Sequence, residues 1–319
     1  MEYRNIGNSD LQVSVVGLGC NNFGMRIGVD GAQAVVDKAI ELGVNFFDTA
    51  EMYAGEHGPS EEILGTVLGD RRNDVVVATK FGMPTQMTAT GINSPGSGSR
   101  EYITNALNNS LQRLGTDYID LYMVHFPDPD TPAEETAGVL NDFVKEGKIR
   151  YAGISNVSAD QTREALQVTE SNGLASYVSV ENEWSLVDRA IEAEVAPAAR
   201  ECGYGILPYF PLAGGFLTGK YRQGEDMPAG GRLTEGALAG LAGKYINDRN
   251  WEILHAAEKY AGDQGHSVLD LAIAWLLSRD GVPSVISGAT RPDQLESNVA
   301  AGGWSLTNDD VAAIDALAS

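Results

Sequence analysis

Short, nearly unbroken apolar runs alternate with segments of helical periodicity along the whole chain. Residues 13–19 (VSVVGLG), 44–49 (VNFFDT), 74–80 (DVVVATK), 118–125 (YIDLYMVH), 149–155 (IRYAGIS), 177–183 (YVSVENE), 204–212 (YGILPYFPL) and 283–288 (PSVISG) read as strands. Helical patterns fill 31–43, 60–69, 99–115, 131–147, 158–171 and 188–203, then 247–265 and 267–280 in succession, and finally 291–302. In the first of these, Ala34, Val35, Ala39 and Leu42 recur near helical spacing, and Gly43 supplies the stop. Ser60 starts the second, Ser99 caps the third, Gly115 ends it, and Pro132 stands in the first turn of the fourth.

Near-continuous apolar strands alternating with helices imply a parallel sheet covered by helices. About eight such units favour a closed (β/α)8 TIM barrel over an open doubly wound sheet. The opening YRNIGNSDLQVS reads as a β-hairpin plugging the bottom of that barrel. No linker or shift of composition divides the chain, so residues 1–319 read as a single barrel domain. Two long segments rich in Gly, Pro and polar residues, 83–99 and 213–244, read as loops of the lid or binding type.

Composition adds constraints. With 319 residues, 43% of them hydrophobic, the chain can bury a large core. Its formal net charge is −22, which repels nucleic acid and anionic membranes, so neither is an expected partner. A site for an anion must therefore gather scarce Lys and Arg locally. Cys20 and Cys202 form no CxxC pair, and none of the 4 His pair at ligand spacing, so no metal set is expected. No signal peptide and no run of about 18 apolar residues stands out, which leads to the expectation of a soluble cytoplasmic protein. No assembly motif specifies an oligomeric state.

In a barrel of this kind the active site lies at the C-terminal ends of the strands. Three consecutive strands deliver Asp48 with Tyr53 close behind, then Lys80, then His125. Each has an ordinary structural alternative: a strand-end cap, a loop aromatic, a solvated strand end, a satisfied core histidine. Together they have a chemical logic. A phenol has a reference pKa of about 10, and a neighbouring ammonium favours the phenolate and lowers it. Asp48 holds Lys80 charged and oriented, Tyr53 protonates a developing alkoxide, and His125 hydrogen-bonds the carbonyl. Such a set suits hydride transfer from a nicotinamide. Asn21, Asn22, Phe23 and Met83 follow the first and third strands and are expected to line the substrate pocket, in which Phe and Met supply an apolar wall.

At this point the chain resembles the aldo-keto reductase superfamily, of a bacterial type similar to the potassium-channel β-subunit branch. The resemblance is carried by YRNIGNSDLQVSVVGLG, FFDTAEMY, VVVATKFG, LGTDYIDLYMVHFPD, GKIRYAGISN, YFPLAGGFLTGKY and ISGATRPDQLESN, in that order. It implies a barrel that binds NADP(H) extended, and a catalytic tetrad of Asp48, Tyr53, Lys80 and His125, with Tyr53 as general acid. It further implies that Ser155 and Asn156 grip the nicotinamide amide and that Tyr209 stacks on the ring. Cys20, Phe210, Pro211 and Gly288 are included among the cofactor contacts. Leu212, Gly214 and Lys220 are expected at the pyrophosphate, and Arg232, Thr290, Arg291, Gln294 and Asn298 around the adenosine phosphate.

Two departures from the family pattern stand out. Glu181 occupies a position where the family usually has Gln; it can accept a hydrogen bond from the carboxamide but not donate one, and if ionised it favours the cationic oxidised ring. Around Gly288–Ala289 the usual basic or hydroxyl residue is missing, which leaves Thr290 and Arg291 for the phosphate. The leading expectation is an NADPH-dependent reductase of a small-molecule aldehyde or ketone. The alternatives are an NADP-dependent sugar or alcohol dehydrogenase, or a cofactor-binding regulatory subunit. The absence of an extension before the opening hairpin speaks against the regulatory role.

Overall fold

The chain opens with the expected hairpin, β1 (Tyr3–Asn5) paired antiparallel with β2 (Gln12–Ser14). The computed structural model describes residues 1–55, 58–82, 86–88, 91–235 and 239–317, with backbone alone for 86–88 and 91–93. After β3 (Val16–Gly19), α1 (Val29–Glu41), β4 (Phe46–Asp48), α2 (Pro59–Leu68) and β5 (Val76–Phe81) comes a small antiparallel pair, β6 (Gln86–Thr88) and β7 (Gly91–Asn93). Then follow α3 (Arg100–Leu114), β8 (Ile119–Val124), α4 (Ala133–Lys145), β9 (Ile149–Ser155), α5 (Ala159–Ser171), β10 (Tyr177–Glu183), α6 (Val195–Glu201) and β11 (Gly205–Tyr209). The last part holds α7 (Ala242–Tyr245), α8 (Asp248–Asp263), α9 (Val268–Leu277), β12 (Val285–Gly288), α10 (Pro292–Ala301) and α11 (Asn308–Leu317).

Eight strands form one sheet in the order β11-β10-β9-β8-β5-β4-β3-β12, with every neighbouring pair parallel. Phe46, Val76, Ala78, Leu121, Met123, Val178, Leu207 and Ile286 meet in one buried cluster, so strands from both ends of that order face each other across a common interior. Ile6, Leu11 and Val13 of the hairpin join the same cluster and stop the bottom of the barrel. A larger core lies between the outer face of the sheet and the helices. β3, β4, β5 and β8 are buried along their whole length, which is why their sequences read as unbroken apolar runs. The fold is a (β/α)8 barrel.

Several elements differ from the sequence expectation. The run 13–19 is two strands, because the chain leaves the hairpin and enters the barrel at Val15; Ser14 Oγ donates to Val16 O across the bend. Pro197 cannot donate to Ala193 O within a helix begun at 188. That segment is instead a 3-10 turn, Ala190–Glu192, and a helix restarted at Val195 with Pro197 in its first turn. Ser60 does not start α2: Pro59 does, and Ser60 is buried with its hydroxyl on Cys20 O. Ser99 occupies the N-cap of α3, but its hydroxyl donates to Gly96 O. In α1, Ala34 faces solvent, and Ala32 and Val36 join Val35 and Ala39 in the core. The pair β6–β7 and helix α11 had no counterpart in the sequence reading.

Candidate active site

The parallel register brings the strand ends together. Gly19 lies opposite Asp48 and Asp48 opposite Ala78, so Lys80 stands two residues further toward the rim; it pairs with Met123, two residues before His125. His125 N donates to Phe81 O and extends the ladder past β8. Lys80 is 0% exposed, so its ammonium requires partners. It donates to Asp48 Oδ1 at 2.6 Å, Thr49 O at 3.1 Å and Tyr53 Oη at 3.4 Å, and Glu181 Oε1 lies 3.3 Å away. Burial alone would push this lysine down. Asp48, Glu181 and Tyr53 outweigh burial and hold the ammonium well above the ordinary lysine range.

Tyr53 reverses one expectation. Burial raises its pKa, Lys80 lowers it, and Asp48 and Glu181 raise it again, so the net direction is upward. The ammonium moderates the shift but does not invert it. Burial and then Lys80 hold His125 well below the usual imidazole range, so the ring is neutral. The Tyr53 and His125 rings meet edge to face at 5.8 Å, and Phe126 stacks on His125 at 4.4 Å. Burial, then the charge of Asp48, push Glu181 up to about 8 against the opposing pull of Lys80. The loop that carries Tyr53 is tied by Glu51, which accepts from Gly82 N at 2.7 Å and from Tyr102 Oη at 2.8 Å.

A cavity of about 640 Å³ opens on this cluster. Asp48, Tyr53, His125, Ser155, Asn156, Glu181, Tyr209, Phe210, Pro211, Leu212, Gly214, Lys220, Arg232, Gly288, Thr290, Gln294, Asn298, Asn21 and Asn22 all line it. Lys80 lies beneath, in contact through Asp48 and Tyr53. Ser155 Oγ donates to Glu181 O, Asn156 Nδ2 to His125 O, and Tyr209 Oη to Asn156 Oδ1 at 2.6 Å, so these side chains brace one another. Ala54, Asn156, Phe210 and Ala213 have left-handed backbone although none is glycine, and all sit at or beside the cavity, where such strain tends to concentrate.

Three expected contacts lie elsewhere. Phe23, whose backbone is bridged to Ile27, is fully buried in the core between sheet and helices. Cys20 is fully buried, with its Sγ directed at Leu18 O. Arg291 is exposed and held by Asp293 at 2.9 Å, outside the cavity lining. Met83 lies outside the described residues. The sequence reading missed Met25, Arg26, Met52, Phe126 and Ser287 on the wall. Arg26 had a signal: it is a scarce cation directly after the first barrel strand in a strongly acidic chain.

The donor set fits a phosphorylated, amide-bearing ligand. Lys220 and Arg232 are each pushed below their ordinary pKa by burial and then by the charge of Arg26, so three cations crowd one wall with no carboxylate paired to them among the described residues. Arg26 Nη2 donates to Gly230 O, and Arg232 Nη2 to Asn21 Oδ1 at 2.7 Å, which fixes both guanidiniums over the cavity. A Cβ on Gly215 would lie 2.9 Å from Lys220 Nζ, so a glycine is what lets this amine lie across the loop. Four buried polar atoms on the wall have no partner among the described residues: Glu181 Oε2, His125 Nδ1, Asn22 Oδ1 and Ser287 Oγ. Buried polar groups need partners, and these four point to a polar ligand.

A (β/α)8 barrel with paired Asp, Tyr, Lys and His at its C-terminal rim defines a class of barrel oxidoreductases. Residues 15–319 match the aldo/keto reductase family, and the chain belongs to that family. It is 38% identical to a probable voltage-gated potassium channel subunit beta of Oryza sativa subsp. japonica, over 94% of this chain and 91% of the relative. It is 32% identical to an L-glyceraldehyde 3-phosphate reductase of Escherichia coli (strain K12), over 94% and 87%, and 32% identical to Protein tas of the same organism, over 99% and 97%. Membership supports an NADP(H)-linked oxidoreductase acting on carbonyl or alcohol substrates. Among the described residues no helix is long and apolar enough to cross a membrane.

Proposed function

We propose that the protein, acting as one barrel domain, reduces an aldehyde or ketone with NADPH, and that Tyr53 donates the proton. The observation that carries this reading is the Lys80 ammonium seated between Asp48 and Tyr53 beneath the cavity, at 2.6 and 3.4 Å. When bound, NADPH supplies the hydride for the carbonyl carbon. Tyr53 Oη gives its proton to the carbonyl oxygen as negative charge develops there. Its raised pKa keeps it protonated beforehand, and an alkoxide is a far stronger base than a phenolate, so the transfer remains downhill. Lys80 stabilises the phenolate left behind, and Asp48 keeps Lys80 in place. Neutral His125 has one ring nitrogen carrying a proton with which to orient the carbonyl oxygen.

Ser155, Asn156 and Glu181 would hold the carboxamide, with the face of Tyr209 against the ring. Arg26, Lys220 and Arg232 would hold the phosphates together with backbone groups of the Phe210–Gly214 loop, and Thr290, Gln294 and Asn298 would meet the adenosine end. Met25, Met52 and Phe126 add apolar surface for the carbonyl compound. The test is NADPH oxidation against a panel of aliphatic, aromatic and sugar aldehydes and ketones. Turnover of at least one class supports the reading. The likeness to a potassium channel subunit beta gives a second reading, a cofactor-binding regulatory subunit, and tight NADPH binding with no turnover across the panel would favour it.

A further inference from the structure

Lys80 Nζ carries three protons and faces four acceptors, of which Asp48 Oδ1 and Thr49 O are nearest. Glu181 Oε1 at 3.3 Å and Tyr53 Oη at 3.4 Å therefore compete for the third proton. Glu181 is 2% exposed, lines the cavity, and its Oε2 has no partner among the described residues. With both carboxyls ionised, two buried carboxylates share one ammonium, and among the described residues Lys80 is the one cation within ion-pair reach of either. A buried excess of negative charge on a cavity wall is costly unless the site receives a cation.

Resting on the cofactor reading above, we infer that Glu181 sets the preference of the site between oxidised and reduced nicotinamide and links it to Tyr53 through Lys80. Ionised, Glu181 favours the positively charged oxidised ring and draws the third ammonium proton away from Tyr53. Protonated, it leaves the site neutral, favours the uncharged reduced ring and returns that proton to Tyr53. Binding of the reduced nucleotide and release of the ammonium proton to Tyr53 are thus coupled to the same protonation event.

Glu181 changes charge while its neighbours hold theirs. Burial and Lys80 keep His125 neutral, and burial holds Tyr53, Tyr209 and Cys20 in their protonated forms. Burial raises Asp48 too, but Asp48 sits closest to the ammonium, at 2.6 Å; Glu181, at 3.3 Å and pushed up to about 8 by burial and then by the charge of Asp48, takes the proton first. The preference should therefore shift between about pH 6.5 and about pH 9.

The experiment is a direct binding titration of NADP+ and of NADPH to the whole protein at these two pH values and fixed ionic strength. It is run on wild type, Glu181→Gln and Glu181→Asp. Phosphates common to the two nucleotides titrate alike and cancel in the ratio of their Kd values. In wild type, Kd for NADP+ relative to NADPH falls at least about fivefold from the lower to the higher pH, the low end of typical coupling between sites. Glu181→Gln abolishes that dependence and favours NADPH at both pH values, whereas Glu181→Asp retains a dependence. A wild-type ratio that does not move with pH overturns the inference, and so does a Glu181→Gln ratio that moves as much as wild type. Failure of wild type to bind either nucleotide overturns the cofactor reading itself, and the inference with it.

Discussion

Arg232 and Arg291 were equivalent candidates for a phosphate contact by sequence, and the structure separates them. Arg232 is half-buried, bonded to Asn21 Oδ1 at 2.7 Å, set over the Phe210 ring at 5.8 Å, and depressed in pKa by burial and Arg26. Its charge is therefore poorly compensated and is available to a phosphate. Arg291 is exposed and already paired with Asp293. Arg232→Ala should remove one charge-assisted hydrogen bond to phosphate, about 1.5–3 kcal/mol, and weaken NADPH binding roughly 10- to 150-fold. Arg291→Ala removes only an exposed, solvent-screened pair with Asp293, and should leave NADPH affinity within about threefold. The assay is a fluorescence titration of NADPH against the three proteins at one ionic strength, because exposed charges are screened by salt. If Arg291→Ala costs as much as Arg232→Ala, or Arg232→Ala costs nothing, the reasoning from charge compensation is wrong.

The tether of the Tyr53 loop predicts a split effect. Glu51→Ala should lower kcat at least about tenfold, from the loss of roughly 1.5–3 kcal/mol of hydrogen bonding to a charged group, with NADPH affinity unchanged; Glu51→Gln, which keeps an acceptor for Gly82 N and Tyr102 Oη, should recover most of it. Full kcat in Glu51→Ala would show the tether to be idle. Buried neutral His125 predicts acid sensitivity. Its folded pKa lies well below 6.5, so as pH falls from about 6.5 the unfolded chain gains a proton that the native site refuses, and stability drops by up to about 1.4 kcal/mol per pH unit. Urea unfolding should therefore show wild type losing about 2 kcal/mol more than His125→Asn between pH 7 and pH 5; equal losses would show that His125 does not report the titration.

The barrel was legible because β3, β4, β5 and β8 are buried on both faces and leave no polar alternation. Misplaced boundaries trace to single residues whose local chemistry overrides periodicity, such as Pro197 and the bend at Val15. The quartet of Asp48, Tyr53, Lys80 and His125 was visible as strand-end chemistry, since a barrel fixes where strand ends go. Its electrostatics were not visible: the sequence shows that Lys80 can lie near Tyr53, but the sign of the Tyr53 shift depends on burial and on two carboxylates that only the folded site brings together. Phe23 reads as pocket by its position and proves to be core, because a turn of a few residues decides which way a loop side chain points. Arg26 was not singled out from the sequence, although its place after the first barrel strand hinted at it; the structure puts it on the cavity wall, held by Gly230 O.

The central claim is that Tyr53 is the proton donor and not a part of the nucleotide-binding wall alone. Tyr53→Phe keeps the ring and its edge-to-face contact with His125, and removes only the hydroxyl bonded to Lys80. The account predicts NADPH affinity within about threefold of wild type, together with a fall in carbonyl-reduction kcat of about 10²- to 10⁴-fold. A Tyr53→Phe protein that reduces the same carbonyl compound at the wild-type rate would contradict it.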